Sequence, residues 1–128
     1  MTNGTCPDEV EAIICEGLFG WRYEYYSSTH MGETDWYHGW FTPQDSRNPV
    51  EQVGWTKEPK RMRDLIARLV KAGYLVGLNY SPWNVRATLH RAKDGVRVAI
   101  AESDDPEADL AMLRRAAMKA AALHQEVP

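Results

Sequence analysis

Three short segments in the second half of this chain constrain its fold more than any other feature. Tyr74, Val76, Leu78 and Tyr80 recur at every second position; so do Val85, Ala87 and Leu89, and so do Val96, Val98 and Ile100. A period of two puts each set on one face of an extended strand. Ser81-Pro82-Trp83-Asn84 and Ala92-Lys93-Asp94-Gly95 supply turn chemistry between them. Pairing Tyr80 with Val85 and Arg91 with Val96 keeps every apolar residue on one side through both hairpins. The segments therefore read as an antiparallel three-stranded meander.

Helical periodicity brackets the meander. Val10, Ile13, Ile14 and Leu18 form a short stripe behind Pro7 and an acidic first turn of Asp8, Glu9 and Glu11, and Gly17 and Gly20 mark its end. Met62, Leu65, Ile66, Leu69 and Val70 form a stronger one over Glu58 to Ala72, with Pro59 in the first turn and Gly73 as the stop. The last helix opens at Asp104-Asp105-Pro106-Glu107 and runs to about Leu123. Leu110, Leu113, Ala117, Ala120 and Ala121 line one side of it, and so many alanines let its backbone approach a sheet closely. The fold class is thus α/β (α+β), with the order α, aromatic loop, α, β, β, β, α. The 128 residues form one expected domain, with residues 1–6 as a flexible N-terminus.

Between the first two helices, residues 22–57 read as a long connection, with short extended pieces around Tyr23 to Tyr26 and Tyr37 to Phe41. Nine of the thirteen aromatic residues fall in Trp21 to Trp55. Disordered segments are depleted in aromatics, so this stretch is expected to pack on the rest of the domain.

Bulk properties exclude several function classes. No apolar run approaches the ~20 residues of a membrane span, and the N-terminus lacks a basic region followed by an apolar stretch, which leads us to expect no membrane association and a cytosolic setting. Cys6 and Cys15 are then expected as thiols. A net charge of −3 is poorly suited to phosphate neutralisation, so nucleic acid is an unlikely partner, although residues 56–128 carry thirteen bases against nine acids. Phosphate-loop, metalloprotease-helix, nucleophile-elbow and paired CxxC motifs do not occur, and no cofactor is expected.

Leu18-Phe19-Gly20-Trp21, Trp40-Phe41-Thr42-Pro43 and Arg115-Ala116-Ala117-Met118-Lys119-Ala120, set in this order of elements, resemble the phage ABA-sandwich domain family over most of the chain. The resemblance implies helices on both sheet faces. It also implies a phage setting, hence the cytoplasm of a phage-infected or prophage-carrying bacterial cell, and an accessory or host-directed role. The family brings no catalytic residues to transfer.

The residues themselves point to binding. On the second sheet face, Leu75, Gly77 and Asn79 lie beside Arg86, Thr88 and His90, and these beside Arg97, Ala99 and Ala101. Asn79, Arg86, Thr88, His90 and Arg97 would present donors to an anionic or amide-rich ligand, a nucleotide-like molecule or a protein, or would pair in a homodimer. The competing reading is a solvated face of an antiparallel sheet. Trp36, Tyr37 and Trp83 stand beside turn residues and are candidates for exposed recognition aromatics. Two alternatives remain: a small hydrolase or metal-dependent enzyme built on His30, Glu33, Asp35 and His38, and weak nucleic-acid binding through the second helix, whose outer face carries Lys60, Arg61, Arg63, Arg68 and Lys71. No motif ties the first of these to a mechanism.

Overall fold

The computed structural model describes residues 6–126, without the side chains at 25, 26, 28, 35–37, 125 and 126. In chain order the elements are α1 (Glu9–Gly17), β1 (Arg22–His30), β2 (Glu33–Phe41), β3 (Glu51–Gln52), α2 (Met62–Lys71), β4 (Tyr74–Tyr80), β5 (Val85–Arg91), β6 (Arg97–Ser103) and α3 (Asp109–Glu126), with single 3₁₀ turns at Trp55–Lys57 and Pro59–Arg61. The strands form two antiparallel sheets, β1-β2-β3 and β4-β5-β6. The expected α+β architecture, a three-stranded meander packed against helices, is the one observed.

The meander forms because alternating apolar residues gain a common covering. Helix α2 lies against β4, and α3 against β5 and β6, on the same face; α1 packs on α3. Leu65 and Leu69 from α2, Val85, Ala87 and Leu89 from β5, and Leu113, Ala116, Ala117 and Ala120 from α3 are buried together. Gly73 ends α2 at φ 103, a conformation that would strain any other residue, and hands the chain directly to β4. Asp8 caps α1 by accepting the Glu11 amide at 2.7 Å and receives Arg114 from α3 at 2.6 Å, which ties two helices through one carboxylate. The free edge of β6 is covered in part by Lys119, whose Nζ donates to the Ile100 carbonyl at 2.9 Å.

Two expectations are corrected. The first hairpin keeps the anticipated register, with Tyr80 opposite Val85 and Val76 opposite Leu89. The second keeps it only at its turn end, where the Arg91 amide donates to the Val96 carbonyl at 2.9 Å and His90 lies opposite Arg97; the register then shifts between Leu89 and His90, so that Ala99 pairs with Leu89 and Ala101 with Ala87. Ala99 and Ala101 therefore face the core, and Ile100 pairs with Thr88 on the opposite side. One extra residue in a strand reverses the facing of everything beyond it. The alanine pair gives α3 room to approach closely, which larger residues on that face would deny it.

The second correction concerns residues 22–57. Most of the expected aromatic loop is a long hairpin of two nine-residue strands. His30 pairs with Glu33 across the two-residue turn Met31-Gly32, both at positive φ (52 and 83), the turn geometry that matches strand twist. The base of this hairpin is anchored by Trp40 and Phe41, both buried, and by Trp21 just before it. Its far end is different. Every described side chain from Ser27 to Thr34 is exposed, and Met31 at the tip is 89% exposed.

Candidate functional site

The outer face of β4-β5-β6 carries most of the sequence-derived candidates. Asn79 is exposed opposite Arg86. Arg86 is not available as a free fork, because its Nε donates to Glu102 Oε2 at 2.7 Å. Thr88 sits across from Gly77, where an added Cβ would lie 2.6 Å from its hydroxyl oxygen, and His90 is half-buried between Leu75 and Arg97 in the register. Because β6 is reversed, Ile100 and Glu102 occupy the positions expected for Ala99 and Ala101. What results is a half-exposed face with one satisfied ion pair and two aliphatic residues, Leu75 and Ile100. The two arginines do not act on a common point: Arg86 is paired on this face, whereas Arg97 lines the cleft described below.

The His30, Glu33, Asp35 and His38 set is divided by strand geometry. Glu33 and His38 are five positions apart on β2, hence on opposite faces, and His38 stacks on Tyr23 with ring centroids 5.8 Å apart. No group of three or more metal-ligating residues converges among the described residues. Of the aromatic candidates, Trp83 is 78% exposed at the tip of the β4–β5 turn. Trp36 and Tyr37 fall in β2, and their side chains lie outside the described residues.

A carboxylate that reads in sequence as a helix-start acid turns out to organise the core. Glu11 is fully buried. Its Oε2 accepts Trp40 Nε1 at 3.0 Å and the Gly54 amide at 2.8 Å, and its Oε1 accepts the Thr56 amide at 3.1 Å and the Thr56 hydroxyl at 2.6 Å. Four donors from two segments, β2 and the turn at 54–56, thus converge on one anion, the condition under which a buried charge is tolerated. With every donor directed at the carboxylate and no solvent access, Glu11 holds α1, β2 and the Trp55 turn together. Cys15, one helical turn on, is also buried; burial and the Glu11 charge push its thiol pKa up, which keeps it an inert core thiol.

The basic face of α2 is partly committed in the same way. Glu51 receives Arg61 and, at 3.5 Å, Arg68, while Arg61 also pairs with Asp64. Arg61 lies over the Trp55 ring at 5.7 Å and Arg68 over Trp21 at 5.2 Å. Two of the five cations expected to form an open patch are therefore fastened to the protein itself, leaving Lys60, Arg63 and Lys71 exposed.

One concave surface gathers groups without such ties. At the end of the meander where β4 begins and β6 begins, a cleft of about 950 Å³ opens between the sheet and the C-terminal turns of α2 and α3. Its floor is Tyr74, Val98 and Ala120, and its walls are Val96 and Leu123, which are 47% and 45% exposed. Arg91, Lys93, Arg97 and His124 stand on the rim. Asp94 pairs with Arg91 at 3.0 Å and is held below the usual carboxylate range by the Val96 amide, by Arg91 and by the charge of Lys93; neither Lys93 nor Arg97 forms a salt bridge among the described residues. Burial pushes the Tyr74 phenol up, with Arg91 opposing it. The cleft therefore offers aliphatic contact below and positive charge above, suited to an apolar group attached to an anion.

Of these residues only Arg97 is among the candidates named from sequence. The cleft is assembled from three segments far apart in the chain, and Val96 and Leu123 look in sequence like ordinary members of core stripes. The one available signal is their place, Val96 opening its strand stripe and Leu123 closing the last helix, where the covering element runs out.

Fold and site together define a small α+β domain with helices on one face of its meander and an open, cation-rimmed apolar cleft at one end. Comparison with protein-family models, with curated proteins and with solved structures returned no match. No helix among the described residues is long and apolar enough to cross a membrane.

Proposed function

We propose that this chain is a non-enzymatic binding protein, a phage-type accessory module, that recognises an acidic segment of a protein partner through the cleft between β4, β6 and α3. The observation that carries the reading is the pairing of two half-exposed aliphatic walls, Val96 and Leu123, with the rim cations Lys93 and Arg97, which form no salt bridge among the described residues. Exposed aliphatic surface gains free energy when covered, at about 25 cal/mol per Å², and the cations select against partners of like charge. Aliphatic walls favour an apolar side chain over a nucleotide base: Tyr74 is buried in the floor instead of offering a free stacking face, and the His124 imidazole stands on the rim, away from the walls. The phage setting rests on the motif resemblance alone.

Titration of a labelled peptide with one tryptophan or leucine flanked by aspartates tests the reading by fluorescence polarisation. Saturable binding, weakened by salt and by Arg97→Glu, is the expected result. Binding of ATP in place of the peptide would move the assignment to a nucleotide ligand. No binding of either, or peptide binding unchanged by Arg97→Glu and Leu123→Glu, would remove the cleft as the site.

A further inference from the structure

The chain itself carries a segment with the chemistry this cleft is suited to accept. Trp83 projects from the β4–β5 turn, the most exposed described aromatic, and Tyr80 beside it is 55% exposed. The turn is rigid: Ser81 Oγ accepts the Trp83 and Asn84 amides at 3.1 and 3.0 Å and is itself bonded to the Asn84 side chain. Val85 pairs with Ser103, so the acidic run Asp104, Asp105 and Glu107 leaves β6 at this same end of the sheet, and Tyr80 donates to Asp109 at 2.8 Å. An exposed indole is thus presented next to a group of carboxylates.

The cleft lies at the other end of the same strands. Tyr74, in its floor, and Tyr80, beside Trp83, are the two ends of β4, about 20 Å apart at the usual rise per residue. The turn cannot fold back into its own cleft, so these two surfaces meet only between molecules. We propose that the Trp83 turn of one molecule docks in the Val96/Leu123 cleft of a second copy, with Asp104, Asp105 and Glu107 facing Lys93 and Arg97. This rests on the reading of the cleft as a site for an acidic, apolar-tipped protein segment, and names one such segment. Donor and acceptor are different surfaces, so the contact is head-to-tail and builds open chains or rings in place of a two-fold dimer.

Sedimentation velocity and equilibrium on the full chain test the proposal, with thermal melts of each variant to verify folding. The wild type is expected to show a weight-average mass that rises with concentration, with Kd in the range of roughly 10 μM to 1 mM, and that falls as salt is added. Trp83→Ala removes the donor and leaves the cleft; Arg97→Glu with Lys93→Glu removes the acceptor and leaves the donor. Each alone is expected to weaken association at least about tenfold, the size of effect typical of a central aromatic anchor. A mixture of the two supports one productive contact only and is expected to stop at a 1:1 complex. A wild type that stays monomeric over this range overturns the proposal, as does a dimer indifferent to Trp83→Ala but broken by Leu75→Asp on the outer sheet face. If the acidic peptide binds the cleft while the wild type stays monomeric, self-docking fails and the cleft reading stands; if neither occurs, both fail.

Discussion

The Glu11 centre and the cleft both combine charge with apolar surroundings, yet they serve opposite ends. Around Glu11 every interaction is internal: four donors meet one carboxylate with no access to solvent. In the cleft the aliphatic walls are half-exposed, and two rim cations, Lys93 and Arg97, form no salt bridge among the described residues. A residue's type therefore does not assign its role. A buried glutamate with satisfied oxygens is architecture, whereas a valine and a leucine at the end of their stripes mark the surface that has something left to bind.

The difference is sharpest in what substitution does. Glu11→Gln puts an amide among four donors, leaving at least one of them facing another donor in the core, and is expected to cost about 3 kcal/mol or more in urea-unfolding stability. A loss under about 1 kcal/mol would show that the centre is not the structural tie described. Trp40→Phe removes one of those donors from a fully buried position and shrinks the side chain. It is expected to lose about 2 to 4 kcal/mol by the same measurement.

Asp8 gives a smaller, pH-dependent effect. Partial burial pushes its carboxyl up, but the Glu11 amide, Arg114 and Lys57 outweigh this and hold it below the ordinary value. A carboxylate whose folded pKa is depressed stabilises the fold above its unfolded pKa, near 3.9, and that contribution disappears as pH falls through the lower folded value. Asp8→Asn is therefore expected to lower stability by about 1 kcal/mol at neutral pH and to flatten the loss of stability below about pH 4. An unchanged acid limb in pH-dependent unfolding would contradict the ion pair to Arg114. Smallest of all on stability is Leu123→Glu in the cleft wall, expected to stay within about 0.5 kcal/mol of wild type in thermal unfolding while removing peptide binding. A large stability loss there would place Leu123 in the core and erase the contrast.

How far these roles could be read from sequence depends on which residues carry a periodic signal. The β4–β5 hairpin was legible because Val76, Leu78, Val85, Ala87 and Leu89 alternate cleanly and all meet α2 or α3. In β6 the largest residues suggested the core face, but the bulge gave it to Ala99 and Ala101, chosen by the closeness of α3 and not by hydrophobicity. The β1–β2 hairpin carries no strand signal for a related reason: Trp40 and Phe41 are adjacent and both buried, so the strand has no single apolar face and no period of two. Its turn offers only Met31-Gly32, where a methionine at positive φ is a weak signal. Glu11 was hidden among other acids of a helix start, because its partners come from residues about 30 to 45 positions away. The cleft was hidden because it is a gap left between elements, and a gap has no residue pattern of its own.

Two-dimensional amide NMR during titration with the acidic tryptophan peptide tests the central contrast most directly, since it reports every region at once. Shift changes are expected to cluster at Tyr74, Lys93, Val96, Arg97 and Leu123, with Glu11, Trp40 and Thr56 unmoved. Changes centred instead on the exposed hairpin tip around Met31, or spread through the Glu11 centre, would contradict the assignment of recognition to the cleft and of architecture to the buried carboxylate.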